Sequence, residues 1–209
     1  MDLPFSESQF LDVFAAFNRD LWPAVIALWV TTLAITIQLW RIRRAGGGVM
    51  ALLAAHWLWS GVAYHWLYFR AINPAAAVFA VLFVVQGAIF GWVAWSGKGR
   101  IAFERSPRGV LGIGLAGYGL VYPFVGLALG LQYPRLPLFA VPCPTTLITA
   151  GLLLMSADVP RAVNVVPILW AAIGSSAALV LGIRADLALL VAGSLLALDT
   201  IAPRALGRR

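Results

Sequence analysis

The sequence predicts an all-α protein, a polytopic transmembrane helix bundle of about seven spans with the N-terminus outside and the C-terminus inside. The prediction depends on the composition, on a series of long apolar segments and on the placement of the basic residues. Of the 209 residues, 62% are hydrophobic and 11% are charged, whereas soluble domains average about 45–50% and about 25%. A chain of this length cannot bury so much apolar surface away from water, so the bilayer must be its solvent.

Seven apolar segments have the length that a membrane span requires. A transmembrane helix needs roughly 20 mainly apolar residues to cross about 30 Å of hydrocarbon. The segments are residues 21–40, 48–69, 74–96, 110–132, 138–157, 164–183 and 186–202. Because the last two are short and closely joined near Arg184, six spans plus a re-entrant hairpin are the alternative.

Basic residues are concentrated after alternate segments, and this sets the expected orientation. Eleven of the fifteen follow the first, third, fifth and seventh segments: Arg41, Arg43, Arg44, Lys98, Arg100, Arg105, Arg108, Arg161, Arg204, Arg208 and Arg209. Because Lys and Arg favour the cytoplasmic side, these loops are expected inside. The net charge of +7 is spread between apolar segments, so nucleic acid is not an expected partner.

The whole chain, residues 1–209, is expected to form a single transmembrane domain. Within it, residues 5–20 are predicted to form an amphipathic helix on the outer interface, because phenylalanines recur there at helical spacing. These are Phe10, Phe14 and Phe17. Ser6 begins a sequence with capping-box spacing. The alternative is a frayed leader before the first span, which itself is expected to act as an uncleaved insertion signal.

The fifth segment crowds four prolines around the only cysteine, Cys143. Proline breaks a helix interior but suits its first position, so a helix is predicted from Pro144 to Ala157. At 1.5 Å per residue it would be about 21 Å long, too short to cross alone. Its N-terminus, with Thr145 and Thr146, would lie at or below the outer interface, approached by an extended chain. The alternative is a proline-kinked helix start packed against its neighbours.

The second segment holds both histidines of the chain. His56 and His65 are nine residues apart, which places them on opposite faces of an α-helix and argues against a shared metal ion. His65 is the better functional candidate, because an ionisable group inside a span is functional by default. It could activate the Cys143 thiol or bind a soft metal with it. The alternative is an interfacial histidine bonded to a tyrosine or a carbonyl.

Polar residues near the outer half and the middle of the spans make up the candidate substrate-binding set. The set is His65, Tyr64, Tyr68, Asn73, Cys143, Thr145, Thr146, Tyr122 and Ser175. Tyr122 precedes a proline that predicts a kink in the fourth span. Ser175 belongs to a run of small residues that also suits close helix packing.

Two further patterns predict contacts between helices. Gly126 and Gly130 form a GxxxG pair in the glycine-rich fourth span, and such a pair lets another backbone approach closely. Asp199, near the inner end of the seventh span, is expected to form an interfacial ion pair with Arg204.

The sequence assigns no catalytic residue, no metal ligand and no cofactor. It contains no HExxH, GxSxG, Walker or CxxCH motif and no paired acidic residues within the spans, so catalysis is not expected. Its single lysine, Lys98, lies in a predicted loop, which excludes a retinal Schiff base in the last span.

Two motifs carry a resemblance to a known family. The segments YHWLYFRAINPAA (64–76) and PCPTTLITAGLLL (142–154) resemble a bacterial family of uncharacterised multi-spanning membrane proteins, the domain of unknown function family 6064. The likeness extends from FNRDLWP near the N-terminus through IGSSAALVLGI in the sixth span. It implies a multi-pass protein of the bacterial inner membrane and carries over no activity or site residue.

Three functions are therefore expected, in this order. The first is transport of a small solute or ion, or channel activity, through a cavity near the proline-broken fifth span. The second is a non-enzymatic accessory or assembly subunit of a larger membrane complex that binds lipid, quinone or pigment. The third is a metal-handling protein that uses Cys143 and His65. The expected partners are the bilayer and either other membrane subunits or further copies of this chain.

Overall fold

The computed structural model describes residues 4–42, 44–103, 105–156 and 158–202. The described residues form seven α-helices: α1 Glu7–Ile42, α2 Gly47–Trp59, α3 Ala76–Trp95, α4 Pro107–Ala128, α5 Pro142–Leu154, α6 Val165–Leu181 and α7 Ala188–Ile201. A π-helix, Ser60–Tyr68, continues α2, and three short 3₁₀ helices cover Phe69–Ala71, Arg161–Asn164 and Arg184–Leu187. Two short strands, β1 Arg44–Ala45 and β2 Ile101–Ala102, pair antiparallel.

Four helical stretches are long and apolar enough to cross a membrane: α1 over Glu7–Leu39, α3, α4, and α6 with its preceding turn from Arg161. Large apolar side chains stay exposed along them, as Val81 on α3 and Leu179 on α6 are 60% and 67% exposed. Such a surface suits lipid and not water. The all-α fold and its capacity to cross a membrane are therefore confirmed, while the number of spans and their orientation stay predictions.

The N-terminal segment and the first span form one helix where two elements were expected. α1 runs unbroken through Pro23. The Ser6 hydroxyl accepts the Gln9 N–H and the Ser6 N–H donates to the Gln9 side chain, so the capping box is confirmed. Phe14 and Phe17 are buried and pack against other aromatic rings of the bundle. The phenylalanine face of residues 5–20 is thus covered by protein.

The second helix widens into the π-helix over Ser60–Tyr68, and π-turns of this kind are frequent at functional sites. Gly61 lets α3 approach closely here, since a Cβ at this position would lie 3.0 Å from the Ala80 carbonyl oxygen. Within the π-helix, Tyr64 and His65 are both buried.

Helices α4 and α5 pack through glycines other than the predicted pair. A Cβ at Gly112 would lie 2.7 Å from the Gly151 carbonyl oxygen, and one at Gly119 would lie 2.5 Å from Ile148. Gly130 has a φ of 98° after the end of α4, with nothing within 4 Å. The prediction that Gly126 and Gly130 mediate the close contact is wrong, because the second of them terminates the helix.

An ion pair closes the end of the bundle that carries β1, β2 and Arg108, which we call the basic end. The Arg108 guanidinium contacts the Asp199 carboxylate at 2.9 Å and also donates to the Ser156 carbonyl. Among the described residues the ion-pair partner of Asp199 is thus Arg108, and the expected pairing with Arg204 stays a prediction. Arg204 lies outside the described residues, as do Arg43, Arg208 and Arg209.

A second ion pair at the basic end is exposed. The Asp158 carboxylate accepts hydrogen bonds from the Arg100 backbone and side chain and from the Gly99 N–H. Partial desolvation acts to raise the pKa of Asp158, but these hydrogen bonds outweigh it and hold the pKa below its usual value.

Candidate functional site

Helix α5 starts at the end of the bundle opposite the basic end. It begins at Pro142, two residues before the predicted start, because proline suits the first helical position and Pro144 still falls in the first turn, where N–H groups have no intrahelical partner. The approach is non-helical and buried, as Leu136, Phe139 and Val141 show. The non-helical backbone before α5 is thus surrounded by protein. This is the condition under which irregular backbone is tolerated at membrane depth.

A cavity of about 190 Å³ lies beside the first turn of α5. Its walls come from the start of α1, the end of the π-helix, α6 and the turn before α7. They are mainly aromatic and aliphatic. The rings that face it are Phe5, Phe10, Phe14, Tyr64, Phe69, Phe79 and Trp170. The rings pack on one another, with centroids 5.4 Å apart for Phe14 and Tyr64 and 5.3 Å apart for Phe79 and Trp170.

Polar atoms converge on one wall of this cavity at Asp186. This carboxylate is 5% exposed. The Tyr122 hydroxyl donates to its Oδ1, and the Cys143 thiol lies near it. One turn before Tyr122 on α4, Tyr118 donates to the Ala185 carbonyl at 2.9 Å. Two tyrosines of α4 therefore hold the turn that carries Asp186 against the cavity.

Four of the predicted site residues meet at this cavity. Tyr64, Asn73 and Cys143 line it, and Tyr122 reaches it through Asp186. The Asn73 side chain also accepts the Ala75 N–H at 3.1 Å, which shapes the turn before α3. These residues come from the π-helix, a turn, α5 and α4, so the fold assembles them from distant parts of the chain.

Four others lie elsewhere, each with a bonded hydroxyl. Thr146 and Ser175 donate to the carbonyl four residues earlier in their own helices. Thr145 lies 3.3 Å from the Ser60 hydroxyl, and Tyr68 donates to a carboxylate of α1 at 2.8 Å. None of the four is among the residues that line the cavity. Their hydrogen bonds explain how these polar side chains fit into the packed bundle.

His65 lies behind the aromatic wall. It is fully buried against Phe79, Phe83 and Trp170, with centroids 4.7–5.7 Å away. Neither ring nitrogen has a hydrogen-bond partner among the described residues. The alternative of a histidine bonded to a tyrosine or carbonyl is therefore wrong for His65.

His56 is held by a different neighbour. Its Nε2 lies 2.8 Å from the Thr32 hydroxyl, whose own proton goes to the Leu28 carbonyl, so Nε2 is the donor. The two histidines thus have separate surroundings. Within the described ranges no group of three metal-binding side chains occurs, and the Cys143 thiol lies near Asp186 and Trp170.

Asp186 is the site residue that sequence reasoning missed. The sequence places it at the start of the last apolar segment, and it was not among the candidate site residues. A signal was present in the spacing of Tyr118 and Tyr122, four residues apart on one helix face, which can present two hydroxyls to a single turn. The pairing spans 64 residues of sequence, and only the tertiary fold brings it together.

The apolar helices with exposed hydrophobic faces, together with a cavity inside the bundle, define an integral membrane protein of the helical class. The chain belongs to the family of unknown function DUF6064, whose profile matches residues 7–208. No curated protein and no solved structure gives a significant match.

Proposed function

We propose that this protein binds a small amphiphilic molecule in the cavity beside α5, as a non-catalytic binding component of a membrane. The observation that carries the proposal is the pairing of mainly aromatic and aliphatic walls with a few polar side chains, among them Asp186 and Cys143. Ligand sites are typically apolar with a few convergent polar groups that fix orientation. A ligand with an apolar body and one polar head matches that arrangement.

The rim of the cavity supports entry from the lipid. Two rim residues on α6, Ile173 and Val180, are 36% and 58% exposed and apolar. An apolar molecule dissolved in the bilayer could reach the cavity beside these side chains without crossing a polar barrier. This suits the lipid-, quinone- or pigment-binding accessory role, with other subunits or a second copy of this chain as further partners.

Transport of a small solute or ion stays a prediction. The residues packed behind the cavity wall, including His65, Phe83 and Trp57, are fully buried. A cavity whose inner wall is closed by packed side chains supports binding of a molecule more directly than its transport. Metal handling has the weakest support, because Cys143 lines the cavity whereas His65 is packed against the rings of Phe83 and Trp170 behind its wall.

We further propose the multi-pass arrangement of about seven spans in a bacterial inner membrane. Residues 47–71 are helical throughout, as α2, the π-helix and a 3₁₀ turn follow one another. They add a fifth helical segment that is long enough to cross a membrane. With the basic end inside, the cavity would lie in the outer half of the bilayer.

Photolabelling in nanodiscs tests the binding function. A small neutral probe, trifluoromethylphenyldiazirine, should label cavity-wall peptides of α5 and α6, and excess neopentylbenzene should suppress that labelling. Labelling of lipid-exposed residues should not be suppressed, because it is not saturable. The Ala177→Leu variant fills the cavity and should lose the suppressible fraction. Its matched control is Ala172→Leu on the exposed face of the same helix, which should retain it.

The proposal fails if labelling of α5 and α6 is not suppressible in the wild-type protein. It also fails if Ala177→Leu and Ala172→Leu retain the suppressible fraction equally, since the bound probe would then lie outside the cavity.

A further inference from the structure

The Asp186 carboxylate differs in its partners from Asp199, the other buried carboxylate of the described residues, and from the two more exposed ones that form ion pairs. Asp199 pairs with Arg108, Asp158 with Arg100 and Asp12 with Arg135. In the described part of the chain no Lys or Arg forms an ion pair with Asp186, although it is 5% exposed. A buried carboxylate without a cation is costly, whereas one with a well-placed cation is not.

The hydrogen bonds that Asp186 accepts leave part of its capacity unused. A carboxylate offers about four acceptor positions. The Tyr122 hydroxyl, a neutral donor, takes one, and the nearby Cys143 thiol is neutral as a donor too. Asp186 also lines the cavity, so its remaining acceptor positions are available to a group bound there.

The walls that face Asp186 suit a cation. A ring face attracts a cation within about 6 Å of its centroid, and the attraction strengthens when water is excluded. Tyr64, Phe69 and Trp170 are each at least 93% buried and line the same cavity as the carboxylate. Anionic ligands are disfavoured beside Asp186, and a neutral alcohol would gain one hydrogen bond but no charge pairing.

We propose that the polar head of the ligand is a cation, an alkylammonium group on an apolar body. The ammonium lies beside the Asp186 carboxylate and is surrounded by the aromatic rings of the cavity. This inference rests on the proposed binding function and specifies the ligand class for that same cavity.

The test uses benzyltrimethylammonium and its neutral isostere neopentylbenzene, in which carbon replaces the charged nitrogen. Both are titrated against the rate at which N-ethylmaleimide alkylates Cys143, the only cysteine of the chain, in nanodiscs. The Cys143→Ser protein gives the reagent blank. For each probe, the affinity with which it protects Cys143 in the wild type is divided by its affinity in Asp186→Asn. This ratio cancels the partition of the probe into the bilayer.

For the cation this ratio should be at least about tenfold, and for the neutral isostere it should stay within about threefold. The Tyr122→Phe variant removes a neutral donor but keeps the carboxylate, so its affinity for benzyltrimethylammonium should not fall. Protection by neopentylbenzene in each variant confirms that the cavity is folded.

Two contrary results are distinguishable. Equal ratios for the two probes would overturn the cation assignment while leaving the proposed binding function intact. No protection of Cys143 by either probe in the wild-type protein would overturn the binding function itself, and the cation assignment with it.

Discussion

Replacing Asp199 by leucine should destabilise the protein strongly, because it leaves a buried guanidinium without its counter-charge. The Arg108 and Asp199 side chains are 11% and 2% exposed and meet through two contacts, at 2.9 Å and 3.3 Å. Removing one partner of a buried pair costs about 3–5 kcal/mol. Asp199→Leu and Arg108→Met should each lower the free energy of unfolding by an amount in this range.

The double variant gives the sharper test. Arg108 also donates to the Leu153 and Ser156 carbonyls at 3.3 Å and 3.2 Å, so its loss costs about 1 kcal/mol for each of these hydrogen bonds. With both charges absent, no unpaired charge stays buried. Arg108→Met combined with Asp199→Leu should therefore cost about 2 kcal/mol, less than either single change.

The measurement is unfolding by SDS titration in mixed micelles, followed by tryptophan fluorescence. Arg135→Met is the control, because it breaks an exposed ion pair whose side chains are 44% and 62% exposed and should cost less than about 1 kcal/mol. The reasoning is refuted if Asp199→Leu unfolds like the wild type, or if the double variant is less stable than both single ones.

Four further variants test helix packing, a buried histidine and an exposed ion pair by the same titration. Gly151→Ala should lower the free energy of unfolding by about 1–3 kcal/mol, because its Cβ would lie 2.5 Å from the Ala116 nitrogen. The control Gly114→Ala, whose Cβ would have nothing within 4 Å, should not lower it. Equal effects of the two variants would contradict this packing. His65→Leu should not destabilise, since it removes two unpartnered buried nitrogens, and a loss above about 2 kcal/mol would reveal a missed partner. Asp158→Asn should cost less than about 1 kcal/mol at neutral pH. Because the folded pKa of Asp158 is lowered, that cost should vanish as pH falls through it, and a cost that persists in acid would contradict the assignment.

The elements that the sequence predicts well are those set by local rules. Proline placement predicts the start of α5 to within two residues and its short length, because proline acts on its own helix. Ser6 predicts the capping box for the same reason. The length of the apolar segments predicts α3, α4 and α6 closely, since hydrocarbon thickness fixes the helix length.

The contacts between helices could not be predicted in this way. Asp199 pairs with Arg108, which lies 91 residues away in the sequence, and no local pattern indicates that partner. Six glycines of the fourth span look alike in sequence, yet Gly112 and Gly119 make the close contact. Of the predicted site, Tyr64, Asn73 and Cys143 meet, while Asp186 was missed because its burial depends on how α4 packs against the turn before α7. Side-chain pairing across helices is a property of packing, which local patterns do not encode.

Protection of Cys143 in the wild-type, Ala177→Leu and Ala172→Leu proteins tests the central claim most directly. Cys143 lies in the wall of the cavity, so a molecule bound there must shield its thiol. Saturating neopentylbenzene should slow alkylation by N-ethylmaleimide at least about tenfold in the wild type and in Ala172→Leu, and leave the rate in Ala177→Leu unchanged. An unchanged rate in the wild type, or equal protection in all three proteins, would contradict ligand binding in this cavity.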